Sequence, residues 1–266
     1  MNVETPGAFA APSLARRKLL LGAACALPLA AILKDPRLAR AAAESTEEVS
    51  ITTAGGRAVK AALALPAAPQ APTVLLIHEW WGLNDNIKTM AAELAALGYV
   101  ALAVDLYGAP AATTPDEAKA LMGALKPEEA TDTLVSWIAW LKAHQRSTGK
   151  VATLGWCFGG GWSLNAALAT PVEGCVVYYG RVNKTAAELA PLACPVQGHF
   201  GTLDKNINQE MVAGFEAAAA AAGKEVEVFW YEADHAFANP SGARYDQADA
   251  ALAWERTTAF LKARLG

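Results

Sequence analysis

The chain has 266 residues, with 22 Lys+Arg against 26 Asp+Glu for a formal net charge of -4. A hydrophobic fraction of 53% excludes a disordered chain, and a near-balanced charge with no basic run beyond Arg16-Arg17-Lys18 excludes nucleic acid as a partner. The four cysteines and four histidines show no CxxC pair and no zinc-like spacing, so no metal or organic cofactor is implied.

In chain order, the first segment reads as an export signal. Arg16-Arg17 precedes an apolar run from Leu19 to Leu33, 15 residues where a membrane span needs roughly 20. Small residues around Ala41 and Ala43 then offer a cleavage site ahead of Glu44. Paired arginines before a mild, alanine-rich stretch resemble a twin-arginine signal. The expectation is a signal peptide over 1–43 and a single domain over 44–266. The protein is then periplasmic or otherwise exported, a monomer, with membrane contact only through the signal.

The body alternates strands and helices. Val49 to Thr53 and Arg57 to Leu65, around Gly55-Gly56, read as an antiparallel hairpin. Val74 to Ile77 is a core strand ending at His78-Glu79-Trp80-Trp81-Gly82, and a helix from Asn86 to Leu97 stops at Gly98. Tyr99 to Val104 is a strand, and helices follow over Asp116 to Leu125 and Pro127 to His144. The second of these places Leu134, Trp137, Ile138 and Leu141 on one face. Val151 to Leu154 is a strand running into Gly155-Trp156-Cys157-Phe158-Gly159-Gly160 and then a helix. Cys175 to Tyr179, Val196 to Phe200 and Val226 to Tyr231 complete the strands, with helices at 207–222 and 246–264. This alternation predicts an α/β fold, a mostly parallel central sheet with helices on both faces and an antiparallel edge hairpin.

Catalytic groups in such sheets lie at the carboxyl ends of strands. Gly155-x-Cys157-x-Gly159 stands at such an end, with small residues that permit a sharp strand-to-helix turn projecting Cys157. The free N–H groups of the helix beginning near Phe158 favour a thiolate there. A thiolate nucleophile needs a histidine, and the histidine an orienting carboxylate. His235 follows the last strand and Asp204 the one before it, in the order this architecture uses; Asp234 is the rival acid. Glu79, flanked by Trp80 and Trp81, reads as a buried functional carboxylate. The backbone N–H groups of Trp80 and Phe158 are the candidate oxyanion hole. His144 and His199 read as structural, the first as a cation at a helix end. Cys175 and Cys194 read as small core hydrophobes, with a disulfide between them left open. Trp80, Trp81 and Trp156 are expected to line the pocket.

These stretches, with Asp105-Leu106-Tyr107, Tyr178-Tyr179-Gly180 and Tyr231 through Phe237, resemble the dienelactone hydrolase family of α/β-hydrolases across about residues 48–264. The resemblance implies the α/β-hydrolase fold and hydrolysis of a small-molecule ester or lactone by a Cys-His-Asp triad. It implies Cys157 as nucleophile, His235 as base and Asp204 as its orienter. It further implies Glu79 as the group that holds the resting thiol and releases it when substrate binds. Two positions depart from the family: Ala109 and Asn239 stand where it grips a substrate carboxylate with arginines. Their loss argues for neutral substrates unless Arg181 or Arg244 supplies the charge. A general carboxylesterase and a catalytically silent binding relative are the alternatives, the latter opposed by the complete Cys157, Asp204 and His235 set.

Overall fold

The computed structural model describes residues 35–266; the paired arginines and apolar run at 16–33 lie outside the described residues. Eight strands form one sheet in the order β1-β2-β4-β3-β5-β6-β7-β8. They are β1 (Glu47–Thr52), β2 (Ala58–Ala64), β3 (Ala71–Ile77), β4 (Val100–Val104), β5 (Ser147–Trp156), β6 (Gly174–Tyr178), β7 (Val196–Gly201) and β8 (Val226–Tyr231). Strands β3 to β8 are parallel, while β1 and β2 form the antiparallel hairpin, with β2 pairing β4 at the edge. Gly56 turns the hairpin at φ +82, which favours glycine. This is the α/β-hydrolase architecture expected above.

Why the sheet is covered twice follows from its strands. Successive side chains point to opposite faces, and β3 is apolar and fully buried from Val74 to Ile77, so neither face can be left to water. Leu75 and Ile77 join one core with Leu134 and Trp137 of α4 (Pro127–Ala143), Leu164 of α5 (Phe158–Ala169) and Phe215 of α7 (Gln209–Ala221). Val74 and Leu76 join the other with Met90 and Leu94 of α2 (Asp85–Ala96) and Leu261 of α8 (Gln247–Leu265). The helix starts carry their own caps: Asn84 accepts from the Ile87 N–H, Asn208 from Met211, and Asp246 from Ala248 and Asp249. A capping box of Thr114 and Glu117 opens α3 (Pro115–Ala124).

Two helices were not anticipated from sequence. The shorter, α6 (Ala186–Leu189), opens on a capping box of Thr185 and Glu188. The other, α1 (Pro36–Ala43), lies within the segment assigned to the signal. It buries Ala39 and Ala43, and the Thr89 hydroxyl of α2 donates to the Ala39 carbonyl at 2.9 Å. No helix among the described residues is long and apolar enough to cross a membrane.

Candidate active site

The chain leaves β3 to build β4 on one side and β5 on the other, so the strand order reverses between β3 and β5. A crevice opens outside the carboxyl ends of strands at such a switch point. Glu79 follows the end of β3 and Cys157 follows β5, which puts both at that crevice.

The turn at Cys157 is as tight as its glycines suggest. A Cβ on Gly155 would stand 2.0 Å from the Gly159 carbonyl oxygen, and one on Gly159 only 2.2 Å from that of Ile77. The first turn of α5 therefore rests directly on the end of β3. Cys157 itself adopts φ 54, ψ -117, held by its N–H donating to the Tyr178 carbonyl at 2.9 Å and by its own carbonyl accepting from Gly160 at 3.0 Å. Among the described residues, three non-glycine positions have positive φ: Cys157, Tyr179 and Ala236. All three line the same cavity, and strain of this kind persists only where the surrounding structure enforces it.

The structure brings the three sequence-predicted residues together. His235 Nε2 lies 3.1 Å from the Cys157 sulfur, and His235 Nδ1 lies 2.6 Å from Asp204 Oδ2. Asp204 also accepts the N–H groups of Asn206 and Ile207, so loop backbone fixes its orientation. Asp234 is instead engaged with the His235 backbone N–H at 2.6 Å, which leaves Asp204 as the acid on the imidazole. Burial works against a charged imidazole, yet Asp204 and Cys157, by hydrogen bond and charge, raise His235 to about 10. Burial likewise opposes the Asp204 charge, but the bonds from His235 and Ile207 leave it below its ordinary value.

Glu79 is 6% exposed, and Asn239 Nδ2 donates to its Oε2. Its other oxygen and the buried Tyr179 hydroxyl beside it have only each other, with no further hydrogen-bond partner among the described residues. Burial raises Glu79 to about 7, against the opposing pull of His235, Asn239, Tyr179 and Arg244. The recorded hydrogen bond of the thiol is with His235 and that of Glu79 is with Asn239, not the Glu79–thiol contact that the resemblance implied. The Trp80 loop is braced by Tyr107, whose hydroxyl donates to the Trp80 carbonyl at 3.2 Å. His78 beneath it is fully buried, donating from Nδ1 to the Glu79 carbonyl and accepting the Leu106 N–H at Nε2. The Trp80 and Phe158 amides have no backbone acceptor among the described residues.

Cys157, His235, Glu79, Tyr179 and Asn239 line a cavity of about 750 Å³, walled further by Trp80, Trp81, Phe158, Trp162 and Ile207. Trp156 is a correction. It is the last residue of β5, packs into the α2/α8 core against Tyr178, and borders a separate cavity of about 30 Å³ behind Glu79. Trp162, on α5, takes the pocket position instead. His199 is buried among Tyr231, Gln197 and Thr257, and burial lowers it to about 3, so it is neutral. His144 ends α4 against Trp140, but burial and Arg146 lower it too, so it is not the dipole-complementing cation anticipated. Cys175 and Cys194 are buried free thiols. Sequence reasoning missed Tyr179 and the Asn239–Glu79 bond; the quoted Tyr178-Tyr179-Gly180 stretch was the only signal for the first.

Comparison with known proteins gives a consistent set. A profile of the dienelactone hydrolase family matches residues 59–265. A carboxymethylenebutenolidase from Pseudomonas sp. (strain P51) is 31% identical over 231 residues, covering 82% of this chain and 95% of that one. A putative carboxymethylenebutenolidase from Saccharolobus solfataricus is 29% identical, over 78% of this chain and 95% of the relative. The crystal structure of a putative dienelactone hydrolase from Klebsiella pneumoniae superposes with a TM-score of 0.74 at 26% identity, covering 82% of this chain and 98% of that one.

Proposed function

This chain belongs to the dienelactone hydrolase family, and on that premise we propose that it hydrolyses a small-molecule ester or lactone through a Cys157–His235–Asp204 triad. The observation that carries the reading is His235, 3.1 Å from the Cys157 sulfur and 2.6 Å from Asp204, on the floor of the site cavity. His235 takes the thiol proton, and Asp204 holds the imidazolium so formed. The sulfur attacks the carbonyl carbon, and the negative oxygen is received by the Trp80 and Phe158 amides. Collapse breaks the carbon–oxygen bond of the ester; the departing alkoxide takes the proton from His235, leaving a thioester on Cys157. Water then gives a proton to His235 and attacks the thioester carbonyl. The acid leaves and the thiol is restored, so each turnover consumes one water and no other reactant.

Alkylation tests the nucleophile. Iodoacetamide is expected to abolish hydrolysis while labelling Cys157, and a saturating ester should slow both in parallel. Cys175 and Cys194 should stay unlabelled in the folded protein, because both are buried and burial raises their thiols, Cys175 to about 11. Activity surviving full alkylation of Cys157 would exclude it.

Export belongs to the same proposal. Arg16-Arg17 and the 15-residue run to Leu33 support a twin-arginine signal ahead of a domain over 44–266, and hence a periplasmic enzyme. Cleavage after Ala43 would release α1 with the signal.

A further inference from the structure

Aromatic surface is held open above the thiol. Trp80 and Trp81 pack together with ring centroids 4.9 Å apart and a 60° tilt, and Phe158 and Trp162 pack edge to face at 6.2 Å. All four are half-buried and all four line the cavity, yet no ring of one pair meets a ring of the other among the described residues. Cavity space therefore separates the two pairs. Met122 of α3 lines the same space and is 41% exposed. Apolar surface left to water in a concave site marks where an apolar group binds.

The fold sets how far this surface stands from the chemistry. Phe158, Gly161, Trp162 and Asn165 all line the cavity, a spacing that puts them on one face of α5. Trp162 lies five residues beyond Cys157, roughly 7.5 Å along the helix axis. Gly161 adds no side chain between Phe158 and Trp162, so the rings on that face stay uncovered. The other pair is pinned through its backbone: the Trp80 carbonyl accepts the Tyr107 hydroxyl at 3.2 Å, and the Trp81 carbonyl accepts the Ala112 N–H at 2.7 Å. Phe158 is backed by the rings of Tyr107 and His78, at 5.5 and 6.0 Å. Walls fixed in advance lose little freedom when a ligand enters. At about 750 Å³ the cavity falls in the upper part of the roughly 300–1,000 Å³ range of pockets that enclose drug-sized molecules, far more than an ester group alone fills.

We propose that the site takes esters carrying a flat aromatic ring a few bonds from the scissile carbonyl, received between the Trp80–Trp81 and Phe158–Trp162 pairs. The inference rests on the hydrolase reading above and names its substrate class, with Trp81 and Trp162 as the residues that set specificity. It agrees with the neutral preference expected from Ala109 and Asn239, since a ring needs no charged partner. Aromatic rings attract one another through offset or edge-to-face contact beyond the burial of their area, so a saturated ring of the same size is the poorer ligand. The Met122 thioether suits the edge of such a ring.

Two pairs of esters test this: methyl 3-phenylpropanoate against methyl 3-cyclohexylpropanoate, and 3-phenylpropyl acetate against 3-cyclohexylpropyl acetate. Within a pair the ester group and the size match, and only the flatness of the ring differs. On the unaltered protein, kcat/KM for the phenyl member should exceed that for the cyclohexyl member by about fivefold or more in at least one pair. The pair that shows the preference tells whether the ring sits on the acyl or the alcohol side. The ratio should fall by about threefold or more in Trp81→Leu and in Trp162→Leu, and recover in Trp162→Phe, which restores a ring. The alcohols 3-phenylpropan-1-ol and 3-cyclohexylpropan-1-ol, titrated against the tryptophan fluorescence of the unaltered protein, should bind with the same preference. Ratios near one in both ester pairs, or a phenyl preference that survives in the Trp81→Leu, Trp162→Leu double variant, would overturn the proposal. A parent that turns over none of the four esters would count against the hydrolase reading instead. The alcohol titration then still decides the aromatic wall, and equal affinity for the two alcohols would remove it.

Discussion

Glu79 sits in the folded chain with its carboxyl raised from 4.5 to about 7 by burial, so it favours the folded state in its protonated form. That contribution is full below pH 4.5 and is lost as pH climbs through 7, costing about 3 kcal/mol by pH 8 or above. Glu79→Gln imitates the protonated carboxyl. It should match the parent's stability near pH 4.5 and exceed it by up to about 3 kcal/mol at pH 8, measured by urea unfolding at the two pH values. An equal gap at both would show that Glu79 is not raised. His235 has the opposite dependence: raised from 6.5 to about 10, it adds stability that is fully present below 6.5 and disappears as pH rises through 10. At this scale the sequence was readable where a reactive residue type follows a strand end, as at Cys157, His235 and Asp204. It was unreadable where a role comes from a contact across loops. Asn239 lies 160 positions from Glu79 in the chain, and nothing local marks their bond. Trp156 was misassigned because the pleat turns the last residue of β5 into the core.

The element that decides the site is the β5–α5 turn, because α5 must approach β3 closely enough to aim Cys157 at His235. Gly159→Ala would drive a methyl group to within 2.2 Å of the Ile77 oxygen and 2.4 Å of that of His78. Overpacking against backbone should cost about 3 kcal/mol, and activity should fall further than stability alone explains, because the sulfur moves off the imidazole. Gly214→Ala is the control. It lies inside α7 with nothing within 4 Å of the added carbon, so it should stabilise by roughly 0.5–1 kcal/mol and leave kcat/KM alone. Calorimetry with steady-state kinetics on both variants checks the pair; a Gly159→Ala as stable as the parent would remove the close approach from the explanation. Strand and helix positions were legible here because apolar runs and caps coincide at most boundaries. The exceptions are instructive. Strand β5 begins at Ser147, four residues before the apolar run, because its polar start still pairs with Ala71. The α6 turn announced itself only through the Thr185-x-x-Glu188 capping box, too short a pattern to stand out.

At the scale of the whole molecule, six parallel strands carry three chemical groups from separate loops to one edge, and no single element contains the site. The order of strands and helices made this architecture legible, since repeated alternation admits few other arrangements. The same chain carries a proposed address: replacing Arg16 and Arg17 by lysine should leave the protein in the cytoplasm, read by fractionation. Normal amounts outside the inner membrane would refute the twin-arginine assignment. The central claim is that Cys157 makes and breaks the bond to the acyl group, and the most direct measurement is kcat/KM of purified Cys157→Ala on an ester that the parent turns over. Loss of the sulfur is predicted to lower it roughly a thousandfold or more, with the melting temperature within a few degrees of the parent's. A correctly folded Cys157→Ala that keeps more than a tenth of the parent's kcat/KM would contradict the account.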